Sequence, residues 1–165
     1  MEKGIGGKRT GRPIGRHITI QQFADMVRDD AKPRGRIIYA GEIPPEIRRD
    51  YESKGLRLES NEVLIDDAAI LKYISHPKEA KGAVIDKDRY DEVAQVISNP
   101  THIYEDLKQK GIIYTGTRNY STGKVLKVAI HPNYKRKRRV YNLVKHIGVV
   151  NEDNMKDVTQ YRQIK

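Results

Sequence analysis

The chain has 165 residues, of which 37% are hydrophobic, and carries a formal net charge of +10. That length fits one domain of ordinary size with a modest core and some irregular sequence beside it. The lack of Cys excludes a disulfide, a thiol nucleophile and a Cys-based zinc site, no apolar run approaches a membrane-spanning length, and no signal-peptide core follows Met1.

Residues 1–36 read as a separate piece, a basic arm and linker with a short helix. Lys3 to Arg16 is rich in Gly, Lys and Arg and has little to bury, so disorder is expected there. Phe23, Met26 and Val27 fall at i, i+3 and i+4, which predicts a short helix within Ile18 to Asp30. Lys32-Pro33-Arg34-Gly35 then reads as linker. A compact domain spans 37–165. It opens on the β-prone run from Arg36 to Ala40. Pro44-Pro45 starts a helix, where a missing N–H costs little, and Gly55 stops it. Leu56 to Ile65 is extended, and Asp66 or Asp67 caps the next helix.

That helix runs from Ala68 to about His76, with Ile70, Leu71 and Ile74 on its apolar side. Lys72 and His76 are i and i+4 and share another face. Pro77 ends the helix, so His76 sees the negative end of the dipole, which favours its protonated form. Such a group can serve as a general acid or as a cation against phosphate, or simply as an exposed helix-terminal histidine. A further helix is capped by Asp86 and carries Tyr90, Val93, Ala94 and Ile97 at helical spacing. Four strands follow: Ile112 to Thr115, Lys124 to His131, Val140 to Val149, and Val158 to Ile164. In the second of them Leu126, Val128 and Ile130 face one way, and Val125, Lys127, Ala129 and His131 the other. Strands after helices argue an α+β fold with an antiparallel sheet.

The charge is uneven along the chain. Between Leu107 and Val150 there is no Asp or Glu but eleven Lys and Arg, whereas Glu42 to Asp106 holds fifteen acids against nine bases. A β-rich stretch kept clear of negative charge suits a polyanion-binding face. Its densest part is the hairpin tip Lys135-Arg136-Lys137-Arg138-Arg139. Tyr114, Tyr120, Tyr134 and Tyr141 are available to stack bases. His17, His76, His102, His131 and His146 show no close ligand spacing with carboxylates, so no metal or other cofactor is expected.

Three segments carry a resemblance. They are Ile38-Tyr39-Ala40-Gly41-Glu42-Ile43-Pro44 with a helix and then Val63-Leu64-Ile65; Tyr73-Ile74-Ser75-His76-Pro77 followed by Val96-Ile97-Ser98-Asn99-Pro100; and the closing Val158-Thr159-Gln160-Tyr161-Arg162. In this order they resemble the phage-borne nuclease domains of the barnase–EndoU–colicin–RelE group, which occur at the C-terminus of Mu-type minor head proteins and in phage polyvalent proteins. The resemblance covers residues 37–165. It implies N-terminal helices packed on a four-stranded antiparallel sheet. It also implies metal-independent RNA cleavage through the ribose 2′-hydroxyl, which asks the protein for a base, an acid and cations around the phosphate.

By the same resemblance His76 matches the helix-terminal histidine of the pattern, with Lys72 on its face, and Thr159, Tyr161 and Arg162 match the closing strand. Lys127 and His131 are added on residue type and sheet geometry. The expected site is therefore His76, Thr159, Arg162, Lys127 and Lys72 for catalysis, with Lys135 to Arg139, His131 and Tyr161 binding nucleic acid. The implied partners are RNA (tRNA or rRNA), a phage head or parent protein and an immunity protein, and not a membrane. The implied setting is the cytoplasm or a virion. The long basic tip and the insertion from Asn151 to Asp157 depart from the simplest pattern. They suit a wider groove, and equally a domain that kept the fold without activity and serves as a nucleic-acid-binding or virion structural part.

Overall fold

The computed structural model of the chain describes residues 18–75, 90–116 and 123–165. His76, Asp86, Tyr120 and the N-terminal arm lie outside these. The described residues form four α-helices and a seven-stranded mixed sheet. The helices are α1 (Ile20–Asp29), α2 (Pro45–Ser53), α3 (Asp67–Ser75) and α4 (Tyr90–Ser98). The strands are β1 (Ile37–Glu42), β2 (Glu62–Asp66), β3 (His102–Asp106), β4 (Gly111–Thr115), β5 (Lys124–Arg136), β6 (Arg139–Asn151) and β7 (Tyr161–Gln163). A 3-10 turn, Glu152–Lys156, precedes β7.

The α+β class stands, but the four-stranded antiparallel sheet is corrected to seven strands in the order β1-β2-β6-β5-β4-β3-β7. The β1–β2 pair joins one edge, because β2 runs parallel to β6, with Val63 opposite Asn142 and Ile65 opposite Val144. On the other side β3 comes between β4 and a short β7. The remaining neighbours are antiparallel.

Alternation divides the sheet into two faces. Ile38, Val63, Ile65, Ile103, Ile112, Tyr114, Leu126, Val128, Ile130 and Val144 pack with residues of all four helices in one large core. The helix preceding the linker belongs to that core, since Ile20, Phe23, Ala24 and Val27 of α1 are buried in it. Its start is a capping box: Thr19 Oγ accepts from Gln22 N–H (3.0 Å) and Gln22 Oε1 accepts from Thr19 N–H (2.9 Å). A buried ion pair fastens the linker that follows, with Arg36 Nε donating to Asp67 Oδ2 at 2.8 Å. The helix cap expected from Asp66 or Asp67 is made by Asp66, whose Oδ1 accepts from Ala69 N–H.

The opposite face is covered only in part by side chains of its own. Ile37, Leu64, Tyr141 and Leu143 cluster with Tyr39 and Tyr134 at one end, and Tyr104, Ile113 and Met155 with Ala129, Val150 and Tyr161 at the other. Between the two ends lies the groove described below.

If α1 and the sheet form one cooperative unit, Phe23→Ala destabilises the whole protein by about 3–5 kcal/mol, the usual cost of emptying a buried aromatic site. The transition in urea stays single; an early, separate melting of the N-terminal helix would contradict this packing.

Candidate active site

A groove of about 350 Å³ opens beside β4, β5 and β6. Its polar lining is Lys72 of α3, Asp106 and Lys110 of the β3–β4 turn, Lys127 and His131 of β5, and Lys145 and His146 of β6. Four lysines and two histidines thus face one acid among the described lining residues.

Each member has a local cause. Lys127, Ala129 and His131 are alternate residues of β5, so they share the face opposite Leu126, Val128 and Ile130. The same rule would send Lys145 and His146 to opposite faces. A register shift prevents that: Ala129 pairs with His146 and Ile130 with Val144, which leaves Lys145 as the extra residue of a bulge. Both neighbours then reach the groove. Gly148 stands opposite Lys127 in the ladder and brings no side chain over it. Lys110 sits at φ +58 in the turn after β3. Buried Asp106 shapes that turn, its Oδ1 accepting from the N–H groups of Lys108 and Gln109 at 3.0 Å each.

Burial and like charge act together here. Burial, then the charges of Lys127 and Lys72, lowers His146 to a pKa of about 4, so it is neutral at pH 7. His131, on the rim, is lowered by burial and then by Lys145. Lys127 is lowered by burial, against which Asp106 acts. Among described residues none of the four lysines forms an ion pair. Lys145 instead lies over the Tyr134 ring at 5.1 Å, and the His131 ring meets Tyr134 edge-on with centroids 5.2 Å apart.

The structure therefore brings Lys72, Lys127 and His131 together and adds Lys110, Lys145 and His146, which strand alternation alone does not gather. Thr159 and Arg162 are elsewhere. Thr159 is in the turn before β7, where its hydroxyl and its N–H both donate to Asp157 Oδ1, so the strand begins only at Tyr161. Arg162 donates to Glu105 Oε1 (2.8 Å) and Asp50 Oδ2 (2.7 Å). Lys54 binds the same two carboxylates, each at 3.1 Å. Burial raises the pKa of Asp50 and of Glu105, but hydrogen bonds from Arg162 and Lys54 outweigh it and hold both below the usual carboxylate range. This cluster ties α2 to β3 and β7 and is spent on structure. Tyr161 is also on β7, against Tyr104 rather than in the groove.

The hairpin tip is likewise of two kinds. Arg136 donates to buried Asp66 at 3.0 Å and Arg139 to Glu62 at 3.4 Å, fastening the tip to β2. Lys135, Lys137 and Arg138 are exposed. Of the tyrosines expected to stack bases, Tyr114 and Tyr141 are fully buried and Tyr134 is half-buried. Among the described residues no group of three or more His, Asp or Glu stands where it could hold a metal ion, and no helix is long and apolar enough to cross a membrane.

No family model, curated protein or solved structure matches this chain.

Proposed function

We propose that the protein is an endoribonuclease that needs no metal ion and cleaves RNA in the groove of Lys72, Lys110, Lys127, Lys145, His131 and His146. The observation that carries this is the gathering of two histidines, one of them, His146, with its pKa lowered to about 4, among four lysines that form no ion pair with the described residues. A cationic groove alone would serve binding. A histidine kept deprotonated at pH 7 beside those cations is in the state a general base requires.

His146 takes the proton of a ribose 2′-hydroxyl, and the 2′-oxygen attacks the adjacent phosphorus. The bond from phosphorus to the 5′-oxygen breaks, and that oxygen takes a proton, leaving a 2′,3′-cyclic phosphate and a 5′-hydroxyl. Lys127 is the donor of that proton, since burial lowers the pKa of its ammonium and eases the proton's release. Lys72, Lys110 and Lys145 stabilise the charge that builds on the phosphoryl oxygens. His131 binds at the rim. His76, outside the described residues, is by resemblance a further acid. By the resemblance to phage-borne nuclease domains, a head or parent protein and an immunity protein are additional partners in this proposal.

A second reading has its own observation. Thr159 and Arg162, implied by the resemblance to be catalytic, are engaged by Asp157, Glu105 and Asp50 instead. A domain that binds RNA without cutting it fits that fact.

Incubation of the purified protein with total tRNA and rRNA in chelator separates the two. Cleavage to cyclic-phosphate ends is expected, and His146→Gln, Lys127→Gln or His76→Ala lowers its rate by roughly 10²-fold or more. Tight binding with intact RNA would leave only the binding module.

Stability gives an independent check on His146. Its folded pKa, about 4, lies below the ordinary value of 6.5. The unfolded chain therefore binds the extra proton between these values, and stability complete above pH 6.5 is lost as pH falls toward 4. The melting temperature falls across that window, and it falls less in His146→Gln. Equal slopes would show that His146 is not desolvated.

At the tip, Lys135, Lys137 and Arg138 changed together to Gln reduce the slope of log affinity against log salt by about 2 for single-stranded RNA, three contacts at about 0.7 each. Arg136→Gln acts differently, lowering stability through the loss of its Asp66 pair. An unchanged slope in the triple variant would remove the tip from the interface.

A further inference from the structure

A second cleft lies on the same side of the sheet, between the 3-10 turn and the β3–β7 edge. Its volume is about 420 Å³, and its walls include His102, Tyr104, Met155, Lys156, Val158 and Tyr161. The Tyr104 and Tyr161 rings stand edge to face with centroids 6.4 Å apart, and His102 lies 6.2 Å from Tyr104. Met155 is buried at its floor, while Val158, at 80% exposure, leaves an apolar side chain on the rim. Lys156 is on the rim too, paired with Asp153 in the open.

The cleft and the cationic groove adjoin one apolar cluster. Tyr104 and Asp106 are two residues apart on β3 and share a face, and Asp106 lines the groove. Ile113 and Ala129 line the groove and pack in the same cluster as Tyr104, Met155 and Tyr161. A ligand long enough to cross that cluster meets both sites. The groove takes an anion. The cleft offers rings, a thioether and an apolar rim, which suit a flat, weakly polar body. A nucleotide combines the two chemistries.

We propose that the Tyr104–Tyr161 cleft binds a nucleobase, one unit along from the phosphate held in the groove. Its ligand is a base of single-stranded RNA, because only an unpaired, splayed base presents its π-face to a side pocket. Tyr161 is the stacking residue, being partly open to the cleft, and Tyr104 backs it. This subsite rests on the ribonuclease proposal for its ligand and adds to it a preference for unpaired over duplex RNA.

Adenosine, which has no phosphate, probes the cleft without the groove. Titrated at millimolar concentration into the full chain, it is expected to shift the NMR resonances of the Tyr104 and Tyr161 rings and the Met155 methyl, and not those of Lys145. Tyr161→Leu abolishes these shifts and Tyr161→Phe retains them. The same Leu variant lowers affinity for a short single-stranded RNA by about fivefold or more, as befits the loss of one stacked base. Its affinity for inorganic polyphosphate, a polyanion without bases, does not change. Val158→Glu, at an exposed position, acts in the same direction if Tyr161→Leu fails to fold.

Absence of adenosine shifts in the cleft, or an equal loss of RNA and polyphosphate binding in the variant, overturns the subsite. Base-dependent binding with no cleavage supports the subsite and removes only the ribonuclease.

Discussion

The side chain of Asn142 decides how this sheet is assembled. It is fully buried in β6, and its Nδ2 donates to the carbonyls of Ser60 (2.8 Å) and Glu62 (2.9 Å) at the start of β2. Its Oδ1 accepts from Asn133 N–H in β5. Asn133 in turn holds the preceding loop, accepting from Glu59 N–H and donating to the Arg57 carbonyl. A parallel strand pair has no hairpin to set its register, so something else must. Here the two asparagines do it, and the burial of Asn142 makes the arrangement hard to exchange for another, since losing its hydrogen bonds would leave a buried amide unsatisfied. Through β2 the same contacts bring β1 into the sheet and place α3 directly after Asp66.

The site follows from that frame. With α1 to α4 all contributing to one core, the groove on β4, β5 and β6 is lined from the helices, among the described residues, only by Lys72 of α3. Lysines gathered there repel one another and depress the pKa values of their neighbours, which works against folding. The chain carries acids enough to neutralise them and uses those acids elsewhere: Asp67 on Arg36, Asp66 on Arg136, Glu62 on Arg139, Asp50 and Glu105 on Arg162 and Lys54. Cations thus fall into two populations. One is paired and fastens elements together; the other is unpaired among described residues and includes the four lysines of the groove and Lys135, Lys137 and Arg138 of the tip. Electrostatic strain confined to one concave place is what a site for a charged ligand looks like.

Much of this was legible in the sequence. Period-two alternation in Lys124 to His131 set Lys127 and His131 on the face away from the core, and they are there. The acid-free window from Leu107 to Val150 marked the strands that carry the groove. Other parts were hidden for definite reasons. Parallel pairing of β2 with β6 depends on side-chain amides far apart in sequence, which no local pattern reports. His146 was missed because a bulge at Lys145 changes the parity of β6, and its residues give no sign of it. β-Propensity predicts strand at Thr159, but Asp157 two residues earlier offers its carboxylate to the Thr159 hydroxyl and N–H, and the turn wins. Composition places α1 with the arm, although Thr19 and Gln22 have the spacing of a capping box. Phe23, the one Phe of the chain, was the residue to weigh, since an exposed tail has no use for it.

The division of labour among the arginines and lysines bears on what each can do. All five arginines that hold the frame together, Arg34, Arg36, Arg136, Arg139 and Arg162, are in ion pairs, and the groove is lined by lysine alone. A guanidinium forms planar, directional pairs with carboxylates and does not release its proton at working pH, so it suits a fixed joint. An ammonium is a point charge on a flexible stem whose pKa moves with burial, and Lys127 has already moved. A groove that only had to hold phosphate would be served at least as well by arginine, which binds it with two hydrogen bonds. Under the proposed cleavage the groove must also hand over a proton, which an ammonium of lowered pKa does more readily than a guanidinium.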